Sequence, residues 1–419
     1  MKGKTQGTSF IHTRHGFAFR AHPSTMRLLV ALLLCMTVFP LSAKKKESIY
    51  ESWAIRIAQS EMRHNPELWR ADFVKKPKWD YTQGLVAYAM MNLYNETKDT
   101  SYLGYVQRFA DYFIEPDGSI KTYQPDSYNI DRINGGKFLF LLYQKTKEER
   151  LMKAICLLRK QLDTHPRMKC GVFWHKKIYP EQVWLDGLYM GAPFYAQCIK
   201  ECKEDKRLYD DVAMQFTRTD SLTIDLSTGL NYHAYDDARQ QPWADPKTGH
   251  SPGFWGRSMG WYMMAMCDVL DYLPKNHPQR GRIIGNLNRL ANALLLYQDQ
   301  ETKLWYQVPN YPGREGNYLE SSCSAMFIYA FAKGARKGYL PYRFANIAKE
   351  SFEGFVQHAT LSNPDGTMSI TRACGVAGLG GNPYRSGTYE YYIGEKVRND
   401  DPKVVGPFIL AALELNRLR

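Results

Sequence analysis

The chain has 419 residues, 44% of them hydrophobic and 23% charged. That composition excludes a disordered chain and leaves room for one large domain or two ordinary ones. The formal charge of +13 favours polyanionic partners; with no basic stripe, zinc-finger spacing or RNA-binding signature, nucleic acid is set aside.

The N-terminus reads as a leader. Residues 28–40 (LLVALLLCMTVFP) form a short apolar run behind Arg27, closed by Leu41-Ser42-Ala43. This is the layout of a secretory signal, and the run is too short for a membrane span. Residues 1–43 are therefore expected to be a signal peptide. Met26 is an alternative start, since residues 1–25 are unlike a basic region of normal length. Residues 44–419 are then one domain of an exported, periplasmic protein. Leu34 stands before Cys35 where a lipoprotein signal prefers a small residue, so lipid anchoring is the less favoured route. The leader holds five Lys or Arg and no acid, which leaves the remainder at +8, thirteen less five.

From residue 47 onward apolar residues recur at helical spacing. The first helix centres on Trp53, Ile57 and Glu61. Further helices are predicted over 81–94, 101–113, 134–143, 148–162, 186–201, 207–222, 256–273, 281–297, 320–335, 345–356 and 402–418. Very apolar segments (81–94, 187–199, 259–272, 320–332) alternate with amphipathic ones (101–113, 148–162, 207–222, 283–297). Helices buried all round, alternating with helices buried along one stripe, predict an inner ring wrapped by an outer ring. The fold class is all-α, with no run of alternating strands apart from short pieces such as 171–175. Linkers 115–133, 164–186, 225–258, 299–319 and 363–401 are long and rich in Gly, Pro, Trp and Asp. Linkers 96–100, 145–147 and 203–206 are short. That asymmetry predicts a functional face and a closed face.

Seven cysteines follow the leader, an odd number without a Cys-x-x-Cys. Neither a disulfide framework nor a zinc site is expected; buried thiols are.

Two stretches concentrate the chemistry: Val183 to Phe194 and Gly253 to Tyr262. Asp186 sits among Trp184, Leu185, Tyr189 and Met190 where a loop enters a helix. Apolar burial would keep such an acid protonated, whereas a helix N-terminus favours the carboxylate; a plain N-cap is the competing reading. Asp131 lies at a second loop-to-helix junction. It is either a partner carboxylate for acid–base work or a cap pairing with Arg132 or Lys137. His175, Lys176 and His233 stand amid aromatics on long loops, as sugar ligands or as satisfied loop residues. Arg257, between Trp255 and Trp261, suits a bidentate clamp on a carboxylate flanked by stacking indoles. Its alternative is to hold a loop through backbone carbonyls.

In chain order, Asp131 with Asn134-Gly135-Gly136-Lys137, Trp184-Leu185-Asp186-Gly187-Leu188-Tyr189-Met190, Tyr232-His233-Ala234-Tyr235-Asp236, Trp255-Gly256-Arg257-Ser258-Met259-Gly260-Trp261 and Val404-Val405-Gly406-Pro407-Phe408 resemble the unsaturated rhamnogalacturonyl hydrolases of glycoside hydrolase family 105. The resemblance covers about residues 47–419. It implies an (α/α)6 barrel. It implies removal of a terminal 4,5-unsaturated uronic acid from lyase-generated oligosaccharides by hydration of the double bond. Asp186 would be the acid/base and Asp131 its carboxylate neighbour. His233, Arg257, Trp255, Trp261, His175 and Lys176 would surround the acidic sugar, with no metal or organic cofactor. The related family 88, acting on unsaturated glycosaminoglycan disaccharides, is the nearest alternative. An epimerase, an inverting glycosidase and a non-catalytic glycan-binding protein are the others.

Overall fold

Each segment with helical apolar spacing is a helix in the computed structural model, which describes residues 47–418 together with 13 and 15–18. The apolar run 28–40, with Cys35, lies outside the described residues. Residues Ser48–Arg419 form one compact unit. Its helices are α1 (Ile49–His64), α2 (Tyr81–Thr97), α3 (Thr100–Phe113), α4 (Gly136–Thr146), α5 (Glu149–Thr164), α6 (Leu185–Glu201) and α7 (Leu208–Thr223). They continue with α8 (Gly256–Leu270), α9 (Arg280–Leu295), α10 (Ser321–Lys337), α11 (Arg343–Ala359), α12 (Tyr389–Gly394) and α13 (Pro402–Asn416).

Six of them close a ring. α2 packs on α4, α4 on α6, α6 on α8, α8 on α10, α10 on α13, and α13 returns to α2. The partners α1, α3, α5, α7, α9 and α11 back this ring from outside. The arrangement is an (α/α)6 barrel. Sequence explains which helix goes where. In α8 every residue is buried, so no polar face is available for solvent. In α3 only Tyr102, Tyr105, Val106, Phe109, Ala110 and Phe113 are buried, one stripe at helical spacing. Burying a side chain of that size contributes roughly 1.5–3 kcal/mol. Caps fix several starts: Ser48, Asp80, Asp99 and Asp401 side chains accept from the first-turn N–H groups of α1, α2, α3 and α13.

Chain reversal differs at the two ends. Connections from an outer helix to the next inner one are long, so they gather on the rim where inner helices begin. Connections from an inner helix to its outer partner are short, several of them pivoting on a left-handed residue such as Lys98, Lys147 or Gly338.

Three expectations need correction. The linker 363–401 contains α12, a six-residue helix too short for a periodic signal. Residues 171–175 are not a strand; Phe173 makes a single bridge to Arg167. Extended pairs lie elsewhere, as β1 (Gln182–Trp184) with β2 (Ala234–Asp236), β3 (Thr360–Ser362) with β4 (Met368–Ile370), and β5 (Ala373–Cys374) with β6 (Val397–Arg398). Of the seven free cysteines, Cys198, Cys267, Cys323 and Cys374 are buried, but Cys156 and Cys202 are exposed. Among the described residues no helix is long and apolar enough to cross a membrane.

Candidate active site

Three long loops are joined by backbone hydrogen bonds on the open rim. β1 and β2 pair antiparallel, with Trp184 opposite Ala234. Just beyond, Leu185 N–H donates to the His233 carbonyl at 3.0 Å. On the other side His175 N–H donates to the Gln182 carbonyl at 2.9 Å, and Ile130 N–H donates to the His175 carbonyl at 3.3 Å. The stitching brings Asp131, His175, Lys176, Trp184, Asp186 and His233 into one neighbourhood. Glycines of α6 make room for it. A Cβ at Gly187 would stand 2.9 Å from His175 Nδ1, and one at Gly191 would stand 2.7 Å from Ile130 Cδ1. The loop carrying Asp131 can therefore lie directly on α6.

Asp186 is in the first turn of α6 but is not its N-cap. Trp184 holds that position, without a side-chain capping bond. Asp186 Oδ2 lies 3.3 Å from His233 Nε2, and its side chain keeps 14% of its surface exposed. The distance is that of an ion pair, yet neither atom has a hydrogen-bond partner. The angular requirement of a hydrogen bond is the stricter one, so the two groups are close without being locked together. His233 is fully buried, and its Nδ1 is 2.8 Å from Tyr392 Oη. A neutral imidazole carries its proton on either nitrogen. With Nδ1–H turned to Tyr392, Nε2 can accept from a protonated Asp186; in the other tautomer Nε2–H faces the carboxylate.

Asp131 sits in a 3-10 turn (Ile130–Ile133) ahead of α4, not at the helix start. Its Oδ2 is 2.6 Å from Lys176 Nζ and its Oδ1 3.3 Å from His175 Nε2. Burial pushes the Asp131 carboxyl up; Lys176, then His175, outweigh it and leave it below the usual range. Burial drives His175 down to about 4 despite the pull of Asp131. Lys176 is raised: burial opposes its charge, and Asp131 more than restores it. At neutral pH the cluster is therefore carboxylate, ammonium and neutral imidazole. The Trp184 ring stacks with His175 at 4.6 Å and with Tyr179 at 4.9 Å. Lys137 does not pair with Asp131; its ammonium lies 3.4 Å over the Tyr189 ring in the barrel core.

Arg257 is not presented as a clamp. The guanidinium is 1% exposed. Its Nε donates to Ser322 Oγ at 2.6 Å, Nη1 to the Gly375 carbonyl at 3.2 Å, and Nη2 to Glu320 Oε1 at 3.4 Å and to the Cys374 carbonyl. It holds α8, α10 and the Cys374 strand together, so the loop-holding alternative describes this residue. Trp255 and Trp261 are each 1% exposed, and neither ring offers a face to a sugar. Trp255 donates to Gln307 Oε1 at 3.1 Å and lies 4.8 Å from His233. Trp261 stacks on Tyr189 at 4.8 Å, with Tyr81 at its edge. They form the backing of the site rather than its lining. Sequence reasoning missed Tyr392, which arrives on α12, and its one signal was the aromatic run Tyr389-Glu390-Tyr391-Tyr392.

Residues 53–419 match the profile of Glycosyl Hydrolase Family 88. The chain belongs to this family. A C. acetobutylicum glycoside hydrolase from family 105 is 44% identical, with a TM-score of 0.84, covering 87% of this chain and 99% of that one. Among curated relatives, Protein Atu3128 of Agrobacterium fabrum is 36% identical over 54% of this chain and 97% of its own length. The unsaturated rhamnogalacturonyl hydrolase YesR of Bacillus subtilis is 28% identical over 59% of this chain and 68% of its own. This family 88/105 enzyme is thus a glycoside hydrolase of unsaturated uronyl substrates.

Proposed function

We propose that the enzyme releases terminal 4,5-unsaturated galacturonate from lyase-generated rhamnogalacturonan oligosaccharides. The observation that carries the chemistry is Asp186, a partly exposed carboxyl with an unpartnered oxygen beside a histidine able to serve either of its protonation states. The similarity to YesR supports the pectic substrate.

In this reading protonated Asp186 gives its proton to C4 of the C4=C5 vinyl ether, and positive charge develops at C5 and the ring oxygen. The Asp131 carboxylate, held by Lys176 and His175, would be the second acidic group of the site, and a carboxylate facing that charge would favour it. Asp186, now ionised, takes a proton from the water that adds to C5. The resulting hemiketal opens to a C5 ketone, C1 becomes a hemiacetal, and the aglycone leaves as an alcohol. One residue serves as acid and then as base, so the paired-carboxylate spacing of ordinary glycosidases is not required. His233 orients Asp186, and His175 and Lys176 hold the Asp131 carboxylate. Export follows from the signal-like run at 28–40, with 44–419 as the catalytic domain.

The test is a panel of unsaturated disaccharides from rhamnogalacturonan, homogalacturonan and chondroitin, followed by loss of double-bond ultraviolet absorbance. Turnover should be fastest on the first; turnover of chondroitin fragments alone transfers the enzyme to glycosaminoglycans. Asp186→Asn should abolish turnover and keep substrate binding. Retained turnover removes Asp186 from the role.

A further inference from the structure

The substrate class assigned above carries a carboxylate beside the reacting bond, and a desolvated carboxylate needs a cation. Arg257 is committed to Glu320, Ser322 and two carbonyls. Lys176 is committed to Asp131. The loop after β5 supplies another. Arg385 makes no ion pair among the described residues and is only partly buried. Its Nε donates to the Gly380 carbonyl at 2.8 Å, and its Nη2 to Tyr179 Oη and the Leu379 carbonyl, both at 2.9 Å. Nη1 has no partner. The guanidinium carbon is 5.9 Å from the ring centroids of both Trp184 and Tyr179, two residues along the chain from Asp186 in the case of Trp184.

The loop is built around this placement. Gly380 and Arg385 exchange backbone hydrogen bonds, and Leu379 packs with Trp184, Ala234 and Trp243. At Gly378 a Cβ would stand 2.3 Å from Arg385 Nη1 and 3.3 Å from Trp184. Any other residue there would displace the guanidinium from the indole. A cation fixed by three hydrogen bonds, with one free nitrogen and no acid of its own, is preorganised for an external anion.

We propose that Arg385 is a substrate-binding residue whose free Nη1 edge receives a carboxylate of the acidic oligosaccharide. This rests on the reading of the substrate given above. The carboxylate belongs either to the terminal unsaturated uronate or to a saturated uronate further along the chain.

The experiment compares wild type, Arg385→Gln and Arg385→Lys on an unsaturated disaccharide with one carboxylate, its methyl ester, and a tetrasaccharide bearing a second uronate. Losing one charge-assisted contact should raise KM for the free acid about ten- to a hundredfold while kcat stays within about twofold. The ester should be handled alike by wild type and Arg385→Gln, and Arg385→Lys should recover part of the loss. A purely structural role would impair acid and ester equally. An effect already full on the disaccharide assigns the terminal carboxylate; an effect confined to the tetrasaccharide assigns the second uronate. Equal losses on acid and ester, or none on any substrate, overturn the inference. A wild-type enzyme inert on every free acid overturns the substrate reading instead.

Discussion

Replacing Glu320 with Gln tests whether Arg257 is a structural group. The Glu320 carboxylate is fully buried. It accepts from Ser322 N (3.1 Å), Ser322 Oγ (2.8 Å), Cys323 N (2.7 Å), Cys374 N (2.9 Å) and Arg257 Nη2 (3.4 Å). An amide keeps one acceptor oxygen, turns two donors toward donors, and leaves the guanidinium charge without its counter-ion. Breaking a buried pair from one side costs about 3–5 kcal/mol. For a folded unit of about 370 residues, at about 2.1 cal/mol/K of unfolding entropy per residue, this is a fall in Tm of about 4–6 °C. Calorimetry on wild type, Glu320→Gln, Arg257→Gln and the double variant gives the coupling directly. The double variant should lose less than the two single losses combined, because each single substitution strands the other group. If Glu320→Gln melts with wild type while Arg257→Gln changes only KM, the buried-pair assignment fails and Arg257 returns to the substrate.

Two further expectations concern pH. Burial, partly offset by Asn65 and reinforced by Asp400 and Asp401, lifts the Glu61 carboxyl to about 8. A group raised on folding stabilises below its unfolded value and loses that contribution as pH climbs through 8. Glu61→Gln, which cannot ionise, should therefore gain on wild type by at most about 1.4 kcal/mol per pH unit between pH 5 and 8; equal urea midpoint differences at both pH values refute it. Burial also lowers His165 and His175 to about 4, so their contribution is complete above about pH 6.5 and is lost as pH falls through 4. The acid limb of the Tm–pH curve should flatten in His165→Asn/His175→Asn, and an unchanged limb would count against buried neutral imidazoles.

The barrel was legible because its signal is repeated. Twelve segments each carry enough apolar residues at helical spacing to declare themselves, and full burial against one-stripe burial separates α8 from α3. The candidate site, as a cluster of side chains, was legible in part. Asp131, His175, Lys176 and His233 stand on long loops, Asp186 follows one of them in the first turn of α6, and those loops meet. Arg257 misled because an Arg between two Trp looks the same whether it faces a cavity or a buried glutamate; Glu320 is 63 positions away. Tyr392 and Arg385 were unreadable for a related reason. They lie in a linker whose shape is set by glycines and by packing against Trp184 and Trp255, and neither leaves a periodic trace.

The hydrogen bond between His233 and Tyr392 joins residues 159 positions apart, while the chain that lies between them supplies α8, α9, α10 and α11. No contiguous fragment that omits those helices can hold the tyrosine against the histidine. Without α13 the ring would also be open between α10 and α2. If the proposed roles of Asp186 and His233 hold, activity is a property of the completed circuit, and a nascent chain would acquire it only after its last fifth has docked. Two separately expressed pieces would report their own reassembly by regaining turnover, which suits the scaffold to a complementation sensor.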